Sequence, residues 1–379
     1  MIVDRCFGGW LVVMLAAPLS APVARAGDST VVERPAAAVR PALQFTLSAG
    51  REHDDNVLQL TRQNLGLFAT RPGPPRFSIS DVGDMVTVVD ATLRLRARPW
   101  PRRQTQLLLG AEVHRYDHDR AVDWQQYDIT LAQELTASRR HLTTLELWSS
   151  TIPDYYLGEI TDLDESVAAG DRVRQSLDYR QTGYGVRVRR EALRGRLECM
   201  AGVERLHRGF NAHFHERDND NDQWRVQATL TPFRRWDGSV RVTWLRGDLN
   251  ARGNIPDPLD VPDTDISYDH DGVGIALGLP YGRGRWRGRL DAGFIPQVRS
   301  YTTTDKFDIL RFGRENHRRE TRVRMTQRVW GPWDAIMAWS QLYSRAEFHE
   351  GITFPAGQTN FAQEQFGVSL RGRWELKLR

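Results

Sequence analysis

The sequence predicts an all-β protein, a transmembrane antiparallel up-and-down β-barrel of about 14 strands. Three observations support this fold class: an N-terminal secretory signal, apolar residues at every second position of many short segments, and connections that alternate between short and long. A period of two gives a β-strand two unlike faces. Behind a secretory signal, many such strands are typical of a barrel with lipid outside and water inside.

The N-terminus predicts export from the cytoplasm. Residues 1–26 have a basic start, a short apolar core and the small-x-small cleavage site Ala24-Arg25-Ala26, which together indicate a signal peptide. Residues 27–41 are rich in Ala, Pro and Val and are predicted to form a short periplasmic lead. The remaining residues, 42–379, are assigned to an outer-membrane barrel.

Composition excludes several other classes of protein. Mean hydropathy is −0.53, and no stretch beyond the signal reaches the ~18 uncharged apolar residues of a spanning helix. After signal cleavage Cys199 stands alone, which excludes an intrachain disulfide and a cysteine-based metal site. The formal net charge is +4, and almost all of the cationic residues are arginines, since Lys306 and Lys377 are the two lysines. Secretion argues against a nucleic-acid partner.

Alternation predicts fourteen strands. The clearest segment is 89–99, where Val89, Ala91 and Leu93 share one face while Asp90 and Arg94 lie on the other. The predicted strands are 42–52, 86–99, 104–116, 125–137, 141–152, 177–190, 195–208, 223–234, 238–248, 268–281, 285–299, 318–330, 334–347 and 362–376.

Connection lengths give the barrel a direction. Short connections rich in Pro, Gly and Asp alternate with long ones, as in a barrel with tight periplasmic turns and longer external loops. The short connections are 100–103, 138–140, 192–194, 235–238, 282–284 and 331–333. The long connections are 53–85, 117–124, 153–176, 209–222, 249–267, 300–317 and 348–361. The first long loop has enough residues to fold inward and narrow a pore.

Aromatic residues gather at the strand ends, where two girdles at lipid headgroup level are expected. The turn-side girdle is predicted to contain Trp100, Tyr281, Trp286, Trp333 and Trp374. The loop-side girdle is predicted to contain Tyr127, Tyr179, Trp224, Trp244 and Tyr343. Outer-membrane lipids and lipopolysaccharide are therefore expected partners.

The end of the first strand carries a short motif. The run His53-Asp54-Asp55-Asn56-Val57 resembles the Tyr/His-Asp-x-Asn-Val element that ends the first strand of β-barrel porins from Gram-negative exopolysaccharide loci. It is also similar to the barrel part of surface lipoprotein assembly modifiers, although their periplasmic helical-repeat domain has no counterpart in this sequence. The resemblance implies an outer-membrane barrel that takes part in transport, with polysaccharide-export proteins as candidate partners.

The last strand resembles the signal that the barrel insertion machinery reads. Gln365, Gly367 and Leu370 match its polar-x-Gly-x-x-apolar start, but the chain ends on Leu378-Arg379 instead of an aromatic residue. The resemblance implies that the insertion machinery is a partner.

Arginines on the predicted polar faces are the candidate functional residues. Guanidinium groups stay charged, bind carboxylate or phosphate in a forked geometry, and make a pore selective for anions when they line it. The predicted lumen and anion-binding set is Arg94, Arg96, Arg98, Arg187, Arg189, Arg241, Arg287, Arg289, Arg322, Arg324, Arg328, Arg371 and Arg373. Turn polarity places most of this set in the periplasmic half.

These arginines support two readings. The first is a pore that passes small solutes or an anionic exopolysaccharide without any cofactor or metal. The second is structural, because inward-facing acids could pair with the arginines in a lattice. These acids are Glu112, Glu134, Glu146, Glu198, Asp291 and Glu375.

Two other functions remain open at this stage. One is a barrel enzyme, a protease or lipid hydrolase, with a rim site made from acids and a histidine. Its candidate residues are His53, Asp54 and Asp55 in one group and Asp117, His118 and Asp119 in another. The other function is a non-conducting barrel for surface-protein assembly. No serine motif supports a hydrolase, and the sequence favours a protein that is not an enzyme.

Overall fold

The computed structural model describes residues 41–70, 79, 81–100, 103–137, 141–162, 173–232, 238–251, 265–303, 311–348 and 360–377. Within them, fourteen antiparallel strands follow one another around a closed barrel, and the first strand pairs with both the second and the last. The predicted fold class and strand number are confirmed. The signal peptide and residues 27–40 of the lead lie outside the described residues.

The strands are numbered in chain order. They are β1 (Ala42–Asp54), β2 (Asp84–Trp100), β3 (Arg103–Tyr116), β4 (Trp124–Ala137), β5 (Leu142–Asp162), β6 (Val173–Ala192), β7 (Leu197–Phe210), β8 (Asn219–Leu230), β9 (Ser239–Ala251), β10 (Tyr268–Tyr281), β11 (Gly288–Tyr301), β12 (Arg314–Trp330), β13 (Trp333–Phe348) and β14 (Phe361–Lys377).

Each strand has one apolar, exposed face and one polar, sheltered face. In β8, Trp224 and Val226 are exposed, while the alternating residues Gln223 and Arg225 are buried. The exposed apolar face recurs on the paired strands, as with Val242 of β9 opposite Ala228. A soluble protein would bury this face, so the alternation places lipid outside the barrel and polar groups inside it.

Some strands extend further toward the loops than the sequence predicts. β8 begins at Asn219 instead of residue 223, because its first residues are polar on both faces and carry no alternation. On the outer face of this segment, Asp222 accepts a hydrogen bond from Arg205 at 2.6 Å, and Asp220 contacts His207 at 2.9 Å. Polar cross-strand pairs therefore replace apolar alternation above the lipid.

The tight connections use left-handed backbone conformations. Gly282 and Gly331 have φ values of 72° and 51°, which glycine adopts without steric strain because it has no Cβ. Arg194 adopts a φ of 61° in the turn before β7. These turns fix the ends of the hairpins on the side opposite the long loops. Among the described residues, no helix is both long enough and apolar enough to span a bilayer.

The first loop folds into the barrel. Its helix α1 (Arg62–Thr70) and the residues before it bring Leu58, Leu60 and Phe68 into one apolar cluster with Val86 and Tyr116. These last two residues stand on the inward faces of β2 and β3. The expectation that this loop folds inward is therefore met by the described part of the loop.

Asp54 and Asn56 join this loop to the seam between the first and last strands. The Asn56 Nδ2 donates to the carbonyl oxygens of Leu60 at 3.0 Å and Ala362 at 2.8 Å, while its Oδ1 accepts from the Leu60 N–H at 2.7 Å. The buried Asp54 carboxylate accepts from Gln363 Nε2 at 2.8 Å. We call these residues the seam clasp.

Candidate functional site

The outer surface bears an apolar band between two aromatic girdles. On the turn side, Trp333 stacks edge-on against Trp374 with ring centroids 5.3 Å apart, and Trp286 is exposed. On the loop side, Tyr127, Trp224, Trp244 and Tyr343 are exposed. Only closed barrels and helices satisfy their backbone polar groups in lipid. A closed barrel with this band is the architecture of outer-membrane proteins, so the predicted location in the bacterial outer membrane is confirmed.

The assignment of Tyr179 to the loop-side girdle is wrong. Tyr179 is buried and pairs in register with Phe210 on the inward face, where its ring centroid lies 5.2 Å from that of Tyr155. Alternate residues of a strand share one face, and Gln181 and Arg187, which are an even number of positions from Tyr179, also face inward. Tyr179 therefore belongs to the lumen rather than to the lipid interface.

The predicted arginines stand on inward positions with one exception. Arg287 is an exposed residue of the turn before β11, and its carbonyl oxygen accepts from the Arg328 N–H at 3.2 Å. The inward positions, by strand, are Arg94, Arg96 and Arg98 on β2, Arg187 and Arg189 on β6, Arg241 on β9, Arg289 on β11, Arg322, Arg324 and Arg328 on β12, and Arg371 and Arg373 on β14. They lie toward the turn side of the barrel, which we call the turn half.

Acids accompany many of these arginines. The Arg189 guanidinium lies 3.1 Å from Glu146 and 3.8 Å from Glu198. Glu204 lies between two arginines, 3.1 Å from Arg187 and 3.3 Å from Arg225. Part of the turn half is therefore an ion-pair lattice that holds neighbouring strands together.

Further pairs extend this lattice around the barrel. Arg371 lies 3.3 Å from Asp334, and Arg289 donates to Asp291 at 2.7 Å. Glu134, another of the predicted inward acids, instead accepts a hydrogen bond from the Gln104 backbone N–H at 2.8 Å. Paired guanidinium groups keep their positive charge, but a carboxylate beside them weakens the field that an entering anion meets.

Among the described strand residues, five further inward arginines lie outside the predicted set. They are Arg208 on β7, Arg225 on β8, Arg299 on β11, and Arg314 and Arg318 on β12. Four of them, all except Arg225, lie near the long loops, in what we call the loop half. They are at or just beyond the ends of the predicted strands. Strand parity alone identifies all five.

Aromatic side chains and the first loop pack together in the loop half of the lumen. Successive inward rings contact one another, with centroids 6.0 Å apart for Trp124 and Tyr155 and 5.4 Å apart for Tyr179 and Phe210. Several inward side chains at this level, among them Ile152, are at most 2% exposed, while Trp124 and Phe210 are half-buried. Lumen-facing side chains in a wide pore would contact water, so the described part of the loop half is more tightly packed than the wall of a wide pore.

The candidate catalytic acids at the rim have structural partners. Asp54 is part of the seam clasp, while His53 lies on the outward face opposite Phe366. His118 Nδ1 lies 2.9 Å from Asp84 Oδ1, and the same carboxylate accepts the N–H groups of His118 and Asp119. This carboxylate pins the loop, and its hydrogen bond raises the pKa of His118 above the ordinary value.

No protein-family model matches the chain, and no curated protein matches it. Among solved structures, the TodX monoaromatic hydrocarbon channel deltaS2 mutant is 9% identical and covers 90% of this chain and 91% of its own, with a TM-score of 0.43. An anion-selective porin from Comamonas acidovorans is 8% identical and covers 88% of this chain and 99% of its own, with a TM-score of 0.41. OprD from Pseudomonas aeruginosa is 10% identical and covers 90% of this chain and 95% of its own, with a TM-score of 0.38. At this identity and these TM-scores the similarity carries no argument about function.

Proposed function

We propose that this chain is a non-enzymatic outer-membrane channel for small anionic solutes. The observation that carries the proposal is the placement of inward arginines on eight of the fourteen strands, so that positive charge surrounds the lumen rather than lining one wall. Rings of arginine in a pore favour anions over cations.

The close packing of the loop half supports a selective channel more than a general diffusion pore. The first loop occupies the lumen at β2 and β3, and the seam clasp holds it there. An extended anionic polysaccharide would need an open path through this mouth, so the packing favours a small solute. Passage then requires this mouth to rearrange.

The second candidate function is a non-conducting barrel, and the ion-pair lattice is the observation that favours it. Glu146 and Glu198 around Arg189 bind strands together, which a purely structural lumen would also need. Conductance separates the two functions, because a structural lattice predicts none in any state.

The test is single-channel recording of the purified chain in planar bilayers. We expect infrequent openings with chloride preferred over potassium. An arginine about 7 Å from a permeating ion contributes ~0.6 kcal/mol in water, which corresponds to about threefold in local chloride concentration at low salt. The double variant Arg96→Gln/Arg98→Gln should therefore lower the chloride preference severalfold.

The matched control is Arg190→Gln, which removes an arginine from the outward face of β6 beside inward Arg189. This variant should leave the selectivity unchanged. Cation preference in the unaltered chain would refute the proposal, as would the absence of conductance after the seam clasp is removed.

A further inference from the structure

Two buried arginines in the loop half have no carboxylate partner among the residues that the structure describes. Arg208 and Arg299 face the lumen from β7 and β11 and are 0% and 1% exposed. Arg208 Nε donates to Gln181 Oε1 at 2.9 Å, and its guanidinium carbon lies 5.4 Å from the ring centroid of Tyr179. The guanidinium carbon of Arg299 lies 5.1 Å from the ring centroid of Tyr268.

The remaining guanidinium donors of this pair are unused. Within the described residues, neither Nη1 nor Nη2 of Arg208 has a hydrogen-bond acceptor, and the same holds for Nε and Nη2 of Arg299. The two positive charges repel each other, and in the described part of the chain no carboxylate compensates the charge of Arg299. Burying a charge is costly unless a counter-charge and hydrogen bonds compensate it. The pair therefore has the charge and the donors of an anion site.

Other buried polar side chains belong to the same inward patch. Asn221 lies on β8 between these strands, its Nδ2 and Oδ1 both buried and without partners in the part of the chain that the structure describes. In the same part of the chain, the hydroxyl groups of Tyr179 and Tyr268 also lack hydrogen-bond partners. The register runs from Asn221 to Leu249 and from Leu249 to Tyr268, which brings these side chains onto one inward patch.

We propose that Arg208 and Arg299 together bind the carboxylate of a small acidic sugar. Planar guanidinium groups match a carboxylate in a forked, charge-assisted geometry. The hydroxyl groups of Tyr179 and Tyr268 and the Asn221 amide bind the hydroxyl groups of the same sugar. Aromatic walls with a few convergent polar groups are the usual lining of a small-molecule site. This proposal rests on the proposed anion channel and names its substrate class.

Ordered water is the competing partner of these polar atoms. Water would satisfy the unused hydrogen-bonding atoms, but it would leave both positive charges uncompensated. The two occupants therefore predict different results when one charge is removed.

Isothermal titration calorimetry on the full chain in detergent micelles tests the site with three probes: glucuronate, neutral glucose and inorganic phosphate. Glucuronate should bind, and glucose should bind at least tenfold more weakly. Phosphate should also bind more weakly than glucuronate, because it has no sugar hydroxyl groups to bind the tyrosine and asparagine side chains. Phosphate binding as tight as that of glucuronate would overturn the assignment to a sugar acid.

Arg208→Gln and Arg299→Gln should each weaken glucuronate binding at least tenfold. The matched control is Arg205→Gln, three residues from Arg208 on the opposite face of β7 and paired with Asp222 on the outer surface. This variant should bind glucuronate as the unaltered chain does. Equal affinity in all four proteins would overturn the proposal.

Thermal unfolding provides a readout that does not depend on calorimetry. Arg208→Gln should raise the melting temperature of the ligand-free chain, because it removes one of two repelling, uncompensated charges. Glucuronate should raise the melting temperature of the unaltered chain but not that of the variant. A lower melting temperature in Arg208→Gln, with no effect of glucuronate on either protein, would mean that the arginine has a structural role and would overturn the proposal.

The two proposals can fail separately. Glucuronate binding in a chain that shows no anion preference would leave the site standing and refute the channel function. Anion-selective conductance in a chain that does not bind glucuronate would refute the site and leave the channel function standing.

Discussion

Replacing Asn56 with alanine should release the first loop from the lumen. The Asn56 side chain makes three hydrogen bonds, two to Leu60 and one across the seam to Ala362, at 2.7–3.0 Å. Alanine removes all three and leaves buried backbone groups unpaired. A net contribution of about 1 kcal/mol for each bond gives about 3 kcal/mol, or roughly a hundredfold increase in the released population.

Hydrogen–deuterium exchange measures this release directly. The amides of α1 should exchange about a hundredfold faster in Asn56→Ala, in line with that free energy. The amides of β9 serve as an internal reference and should keep their protection. The matched control is Asn250→Ala, since Asn250 is an exposed asparagine whose Nδ2 donates to the neighbouring Asp248 on the same strand.

Two results would refute this reasoning. If the exchange of α1 changes less than threefold, the seam clasp does not hold the loop. If β9 loses protection together with α1, Asn56 stabilises the whole barrel rather than one loop. Either result would also remove the structural basis for a closed mouth.

Three further predictions follow from the same structure. Phe68→Ala removes a buried ring from the contact between α1 and the barrel wall; it should weaken that contact by about 3–5 kcal/mol and raise the open probability in bilayers, while the thermal unfolding of the barrel stays unchanged. Glu204→Gln removes the carboxylate between two arginines of the lattice and should increase chloride preference in reversal-potential measurements; an unchanged preference would place this acid away from the ion path. The hydrogen bond from His118 to Asp84 raises the pKa of His118, so its contribution is complete below the ordinary histidine pKa and is lost as pH rises through the raised value. Exchange in residues 117–123, corrected for intrinsic rates, should therefore increase from pH 6 to pH 9, and His118→Gln should abolish this dependence.

Alternation predicted the strands well because lipid imposes it. Most positions that face the hydrocarbon are apolar, so the inward and outward sets separate wherever a strand crosses the bilayer. Above the bilayer this constraint disappears, and the start of β8 at Asn219 was missed for that reason. Tyr179 was misassigned because its residue type suits an aromatic girdle, although its position in the alternation of β6 places it on the inward face.

The candidate site was only partly predictable. The turn-half arginines follow from parity, but their pairing with acids depends on cross-strand register, which a single sequence does not provide. Arg208 and Arg299 lie on different strands, and their common surroundings depend on barrel closure. The motif at Asp54 was visible in the sequence, whereas its role depends on Gln363, 309 residues away.

The central claim is that the inward arginines make the lumen a path for anions. The most direct measurement is the reversal potential of single openings under a potassium chloride gradient, recorded with Asn56→Ala so that the mouth opens often. The account predicts a reversal potential of the sign that chloride selectivity gives. A reversal potential of the opposite sign, or a barrel that never conducts once α1 is released, would contradict it.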